Sequence, residues 1–150
     1  GEPIFRSWYA LDAVIIYESM TGTTRRAAHL IADGLYALQI GARVVPTTGA
    51  DADLVADADL VVVGTWTDGA LIVGQRPAKA KRLRGLPDLT GKRCLVYCTY
   101  AIHPGRTLAK LTDIVEQLGG EVLGGMTLRR DHLDEDAAEF VDRAAGALQS

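Results

Sequence analysis

The chain has 150 residues, 48% of them hydrophobic, which is one domain with a proper core. Its net charge of -3 is mild and argues for neither nucleic acid nor a membrane surface as a partner. No apolar run approaches membrane-spanning length and no secretory signal is present, so a soluble cytoplasmic protein is expected.

Residues 1–12 carry Pro3, Trp8 and Tyr9 in no periodic pattern. They are set aside as an extension or remnant, with the domain expected over residues 13–150. Val14 to Tyr17 is an apolar, β-branched run that reads as a buried strand. It breaks into small hydroxyl residues around Gly22, and apolar positions resume at Ala27, Leu30, Ile31, Leu35 and Leu38 with helical spacing. Gly41 stops that helix, and Ala42 to Pro46 is a short second strand. Ala50 to Asp59 reads as a short helix with a solvated acidic face. Leu60 to Val63 is a third strand ending at Gly64.

A loop from Gly64 to Gly69 leads through Leu71, Ile72 and Val73 to a helix expected from Pro77 to Leu83. Pro87, Asp88 and Gly91 mark a turn. Cys94 to Cys98 is the fourth strand; its two cysteines lack Cys-x-x-Cys spacing and read as reduced core residues, with no cluster to complete a metal site. The loop Thr99 to Gly105 precedes a helix carrying Leu108, Leu111, Val115 and Leu118, stopped by Gly119 and Gly120. Glu121 to Leu128 is the fifth strand. Asp134 is expected to cap a last helix whose apolar positions are Ala138, Val141, Ala145 and Leu148. Five strands alternating with helices predict an α/β fold, a doubly wound five-stranded parallel sheet with helices on both faces.

The turn after the first strand carries the chemistry. Strand, hydroxyl-rich turn and helix aim backbone N–H groups at one point, where a phosphate settles readily. A triphosphate P-loop needs a lysine after its last glycine, and a dinucleotide fingerprint needs three spaced glycines. Gly22 is followed by Thr23 and Thr24 and stands alone. What remains is a neutral nest with hydroxyls from Ser19, Thr21, Thr23 and Thr24, suited to the terminal phosphate of a mononucleotide.

This stretch resembles the phosphate loop of the flavodoxin family. Ile15, Ile16, Tyr17 and Ser19 match the strand end of its signature, Gly22 and Thr24 its turn, and Ala28 and Ile31 its helix. The resemblance covers nearly all of Ala13 to Leu148. It implies the strand order 2-1-3-4-5, and FMN beyond the carboxyl ends of the first and third strands. Carried over residue by residue, it implies cofactor contacts from Ser19, Met20, Thr21, Gly22, Thr23 and Thr24. A second group is Thr65, Trp66, Thr67, Asp68 and Gly69, and a third is Thr99, Tyr100 and His103. Trp66 and Tyr100 would flank the isoalloxazine ring, which needs aromatic or apolar faces.

The implied function is electron transfer between a reductase and an acceptor protein, without nucleic acid or membrane. An FMN-dependent NAD(P)H:quinone-type oxidoreductase and a flavodoxin-fold module that has lost flavin are the alternatives. The uninterrupted fifth strand resembles the short-chain members. Three features depart from the family: His103 and Arg106 replace an acidic loop after the fourth strand, Arg25 and Arg26 open the first helix, and the chain is not strongly acidic. Fewer acids near the ring predict a fully reduced flavin less strongly reducing than in acidic members. Lys79, Lys81, Arg82 and Arg84 are expected to form a solvated basic face.

Overall fold

The structure, a computed structural model, describes residues 9–68 and 76–149. Strand β1 spans Asp12–Tyr17, helix α1 Thr23–Ala37, β2 Gly41–Pro46, α2 Ala52–Asp57 and β3 Leu60–Asp68. A two-residue strand β4, Arg76–Pro77, precedes α3, Ala80–Arg84. Then follow β5 (Arg93–Tyr100), α4 (Thr107–Gln117), β6 (Glu121–Arg129) and α5 (Leu133–Gln149).

The main sheet is parallel in the order β2-β1-β3-β5-β6. That is the expected path, with β5 and β6 as the fourth and fifth parallel strands, and β4 as an antiparallel addition to the end of β3. The continuous apolar runs follow from two covered faces. Ala13, Ile15, Leu60, Val62, Leu95 and Tyr97 enter the core beneath α1 and α5. Val14, Ile16, Val61, Val63, Cys94 and Val96 alternate into the core beneath α2, α3 and α4.

Several boundaries differ from the sequence reading. Thr65 to Asp68 continue β3, and Thr99 and Tyr100 continue β5, where loops were expected. Parallel pairing of Trp66 with Thr99 and antiparallel pairing of Thr67 with Pro77 occupy their backbone groups. Pro77 therefore belongs to a strand, and α3 starts later, after Lys79 in a left-handed conformation with φ 56°. Asp134 lies inside the first turn of α5 rather than capping it. The buried stripe of α5 is Leu133, Ala137, Phe140, Val141, Ala144 and Leu148, so Ala138 is exposed. Phe140 sets that rotation by meeting Tyr97 edge-on with ring centroids 5.8 Å apart. Leu38, at the end of α1, is likewise exposed.

Candidate functional site

Strand β1 is the sheet's switch strand, since β2 pairs on one side of it and β3, which the chain enters next, pairs on the other. The Glu18 N–H extends the ladder by one bond, donating to Gly64 O at 2.9 Å, and the chain leaves the sheet at Ser19. Gly22 turns it into α1 with φ +95°, a conformation side-chain-bearing residues rarely adopt. A Cβ there would meet nothing within 4 Å, so the backbone is open to close approach from outside. The Gly22 N–H points across the turn and donates to Ser19 Oγ at 3.0 Å.

Gly22 is also the N-cap of α1, and no side chain caps that helix start. No acid lies in its first turn, which holds Arg25 and Arg26 instead. By contrast α5 opens with Asp134, Glu135 and Asp136, the usual complement to a helix dipole. Uncapped donors, no competing carboxylate and an open glycine make the donor set fit a phosphate group. Met20, Thr21 and Gly22 are exposed and Ser19 and Thr23 half-buried around it. Thr24 is different: its Oγ1 lies 2.9 Å from Thr99 Oγ1, both buried, and its carbonyl accepts from the Tyr97 hydroxyl at 2.9 Å. These bonds tie the start of α1 to β5.

Sequence reasoning passed over Glu18. Its carboxylate is 6% exposed at the base of the turn. Thr47 Oγ1 donates to Oε1 at 2.5 Å, and Arg82 Nη1 donates to Oε2 at 3.0 Å and Oε1 at 3.3 Å. Arg82, expected on a solvated face, is thus the counter-ion of a buried acid. The only local signal was a carboxylate inside a neutral turn. A cleft of about 290 Å³ lies alongside, lined by Ser19, Gly22, Arg25, Thr47, Thr48 and Arg82. A larger hollow, about 520 Å³ between β6 and α5, is lined by Leu95, Leu123, Phe140 and Arg143. It lies on the α1/α5 face of the sheet, none of the turn's residues borders it, and its walls are largely apolar.

The second and third groups sit at the ends of neighbouring strands. Thr65 Oγ1 donates to Ala78 O at 2.9 Å and the Ala78 N–H to Trp66 O at 3.0 Å, pinning the returning chain. Trp66 is half-buried, and its indole N–H, shielded from solvent, has no partner among the described residues. Thr67 lies against the Cys98 thiol, and Asp68 is 4.0 Å from Arg76. Gly69 lies outside the described residues. Strand alternation puts Trp66 on the α1/α5 side and Tyr100 on the α2–α4 side, so the two aromatics stand on opposite faces of the sheet at neighbouring strand ends, and neither lines the cleft beside the turn. Exposed His103 accepts the Gly105 N–H at Nδ1 over 2.9 Å, which closes the turn before α4.

Among the described residues no group of His, Cys, Asp or Glu could hold a metal ion, and no helix is long and apolar enough to cross a membrane. Both thiols are free and buried, and burial pushes Cys94 up to about 11 and Cys98 up to about 12, which disfavours the thiolate.

An open, doubly wound sheet with a phosphate-fitting turn after its switch strand defines a nucleotide-cofactor-binding α/β protein. The flavodoxin family model matches residues 15–142, and the chain belongs to the flavodoxin family. Members of this family bind FMN and transfer electrons to partner proteins. Solved structures agree on the fold. A cysteine-to-serine mutant of flavodoxin from Pseudomonas aeruginosa is 21% identical with a TM-score of 0.72, covering 93% of this chain and 100% of that one. Flavodoxin 2 from Bacillus cereus is 19% identical, TM-score 0.71, covering 91% and 99%. A short-chain flavodoxin associated with a non-canonical PDU bacterial microcompartment is 23% identical, TM-score 0.65, covering 89% and 99%. No curated protein matches the sequence significantly.

Proposed function

We propose that the protein is a cytoplasmic FMN-binding electron carrier that takes electrons from a reductase and passes them to an acceptor protein. The β1–α1 turn carries this reading: an open glycine at φ +95°, an uncapped helix start and no acid in the first turn. In this reading Ser19, Met20, Thr21, Gly22, Thr23 and Thr24 surround the phosphate, with backbone N–H groups as the main donors. Arg25 adds positive charge to one side. Glu18 is kept from repelling the dianion by its pairing with Arg82.

Trp66 and Tyr100 hold the two faces of the ring, and the stretch from Thr65 to Gly69 together with Thr99 and His103 borders it. FMN, when bound, supplies one- and two-electron redox chemistry. The chain's own part is to bind it, exclude water from the ring faces and leave one edge open to a partner. No acid or base is required of it. The test is a visible spectrum of the purified protein, then fluorescence titration with FMN and with riboflavin. Tight, stoichiometric quenching of FMN with much weaker riboflavin binding is expected. A colourless protein that ignores FMN would refute the proposal, and NAD(P)H consumption by the loaded protein alone would favour the enzyme instead.

A further inference from the structure

Charge is distributed very unevenly along this chain. Residues 76–110 hold nine of its 16 Lys and Arg but only one of its 19 acids, Asp88. The rest of the chain is correspondingly acidic. Two of the nine cations face elsewhere: Lys92 donates to the carbonyls of Ala56 and Ala58, and Arg93 to that of Ala147. Arg82 is neutralised by Glu18. Lys79, Lys81, Arg84 and Arg106 are exposed, with no carboxylate within ion-pair distance among the described residues. Three of these sit on or beside α3, a helix of only five residues that packs on α4, whose N-cap is Arg106.

Crowding like charges on one turn of helix costs stability. Among the described residues Glu18 relieves it at Arg82 alone, and no acid pairs with Lys79, Lys81 or Arg84. Two exposed apolar side chains stand on the loops at the same carboxyl end of the sheet: Met20, 67% exposed, and Ile102, 87% exposed. Apolar knobs beside a field of one sign are the elements of a polar-rimmed docking surface.

We propose that the face made by Lys79, Lys81, Arg84 and Arg106, bordered by Met20 and Ile102, docks an acidic redox protein. This rests on the electron-carrier reading, and specifies the partner that reading leaves open. The charge distribution favours a compact protein over a polyanionic sheet or rod. With the remainder of the molecule acidic, an extended anionic bilayer or duplex repels much of what it approaches, whereas a protein can present a matching patch alone. The basic segment of α3 has no aromatic residue to stack on bases either. The asymmetry also orients the molecule during approach, turning the cofactor end toward the partner.

The experiment measures binding of an oxidised acidic ferredoxin and of basic cytochrome c by calorimetry, at about 20 mM and about 300 mM salt. The FMN-loaded protein and the Lys79→Glu/Lys81→Glu/Arg84→Glu variant are compared, with the single variants Lys81→Glu and Arg43→Glu, the latter on β2, as a pair matched in net charge that separates this face from the rest of the surface. The proposal expects ferredoxin to bind better than cytochrome c, salt to weaken it, and the triple variant to lose about tenfold in affinity or more. Equal ferredoxin binding by variant and wild type, or a preference for cytochrome c, would overturn it. So would tighter binding to phosphatidylserine vesicles or to duplex DNA than to ferredoxin. Binding is read without electron transfer, so a protein that takes no FMN can be assayed in the same way, and a failed cofactor reading is recognised separately.

Discussion

Replacing Gly64 by alanine should be one of the most damaging single-methyl changes in this protein. A Cβ at that position would lie 2.0 Å from Tyr97 Cζ, 2.2 Å from Cε1 and 2.6 Å from Cε2. Carbon atoms rest about 3.5–4.0 Å apart, so ring or strand would have to move by roughly 1.5 Å. Neither has room. Tyr97 is fully buried, its hydroxyl donates to Thr24 O at 2.9 Å, and its ring meets Phe140. Gly64 itself is held in both ladders of β3, to Tyr17 and to Tyr97. Overpacking usually costs about 1–3 kcal/mol, and this geometry belongs at or above the top of that range. Urea unfolding followed by circular dichroism should show Gly64→Ala destabilised by about 3 kcal/mol or more. Tyr97→Ala removes the obstacle, at a cavity cost of about 3–5 kcal/mol. The double variant should therefore be at least about 2 kcal/mol more stable than the sum of the two singles predicts. A Gly64→Ala cost below about 1 kcal/mol, or additive effects within about 0.5 kcal/mol, would refute the steric argument.

Gly22→Ala forces a side-chain-bearing residue to φ +95° and should cost about 1–3 kcal/mol by the same urea assay, with weaker FMN binding in fluorescence titration. Thr99→Val deletes the buried hydroxyl facing Thr24 and should lower stability by about 1–3 kcal/mol; an unchanged urea midpoint would mean the pair is not a strut. The two thiols make stability fall in alkali. Unfolded cysteines ionise near 9, while burial holds the folded pair at about 11 and about 12. Their contribution is complete below pH 9 and is lost as pH rises from there, by about 1.4 kcal/mol per pH unit per thiol. Unfolding free energies measured from pH 8 to pH 11 should show that slope lessened in Cys94→Ala/Cys98→Ala. Potentiometry of the FMN-loaded protein should place the second couple higher than in acidic flavodoxins, and an equally low value would discard the charge argument.

What the sequence determined by itself is local. Val14 to Tyr17, Leu60 to Val63 and Cys94 to Cys98 read as strands because sheets covered on both faces leave β-branched and apolar residues no polar alternative. The shape of the β1–α1 turn was legible because strand end, Gly22 and helix start lie within a dozen residues, and the conformational demand on Gly22 is written in its identity. The path of the sheet came with the family resemblance, since pairing order leaves no trace in composition.

What only the tertiary structure decided depends on residues far apart in the chain. The continuation of β3 to Asp68 and β5 to Tyr100 follows from pairing between the two strands and with β4, which no local propensity encodes. Glu18 meets Arg82 across 64 positions and Thr47 across 29, turning an apparent surface cation into the counter-ion of a buried acid. Gly64 reads as an ordinary strand end until Tyr97 is placed over it. The rotation of α5 waited on Phe140 meeting that same ring. Short-range patterns set which segments become strand or helix, because backbone hydrogen bonding and side-chain periodicity act within a few residues. Packing and charge pairing act through space, and they fixed the floor of the site and the side of the molecule that carries its positive field.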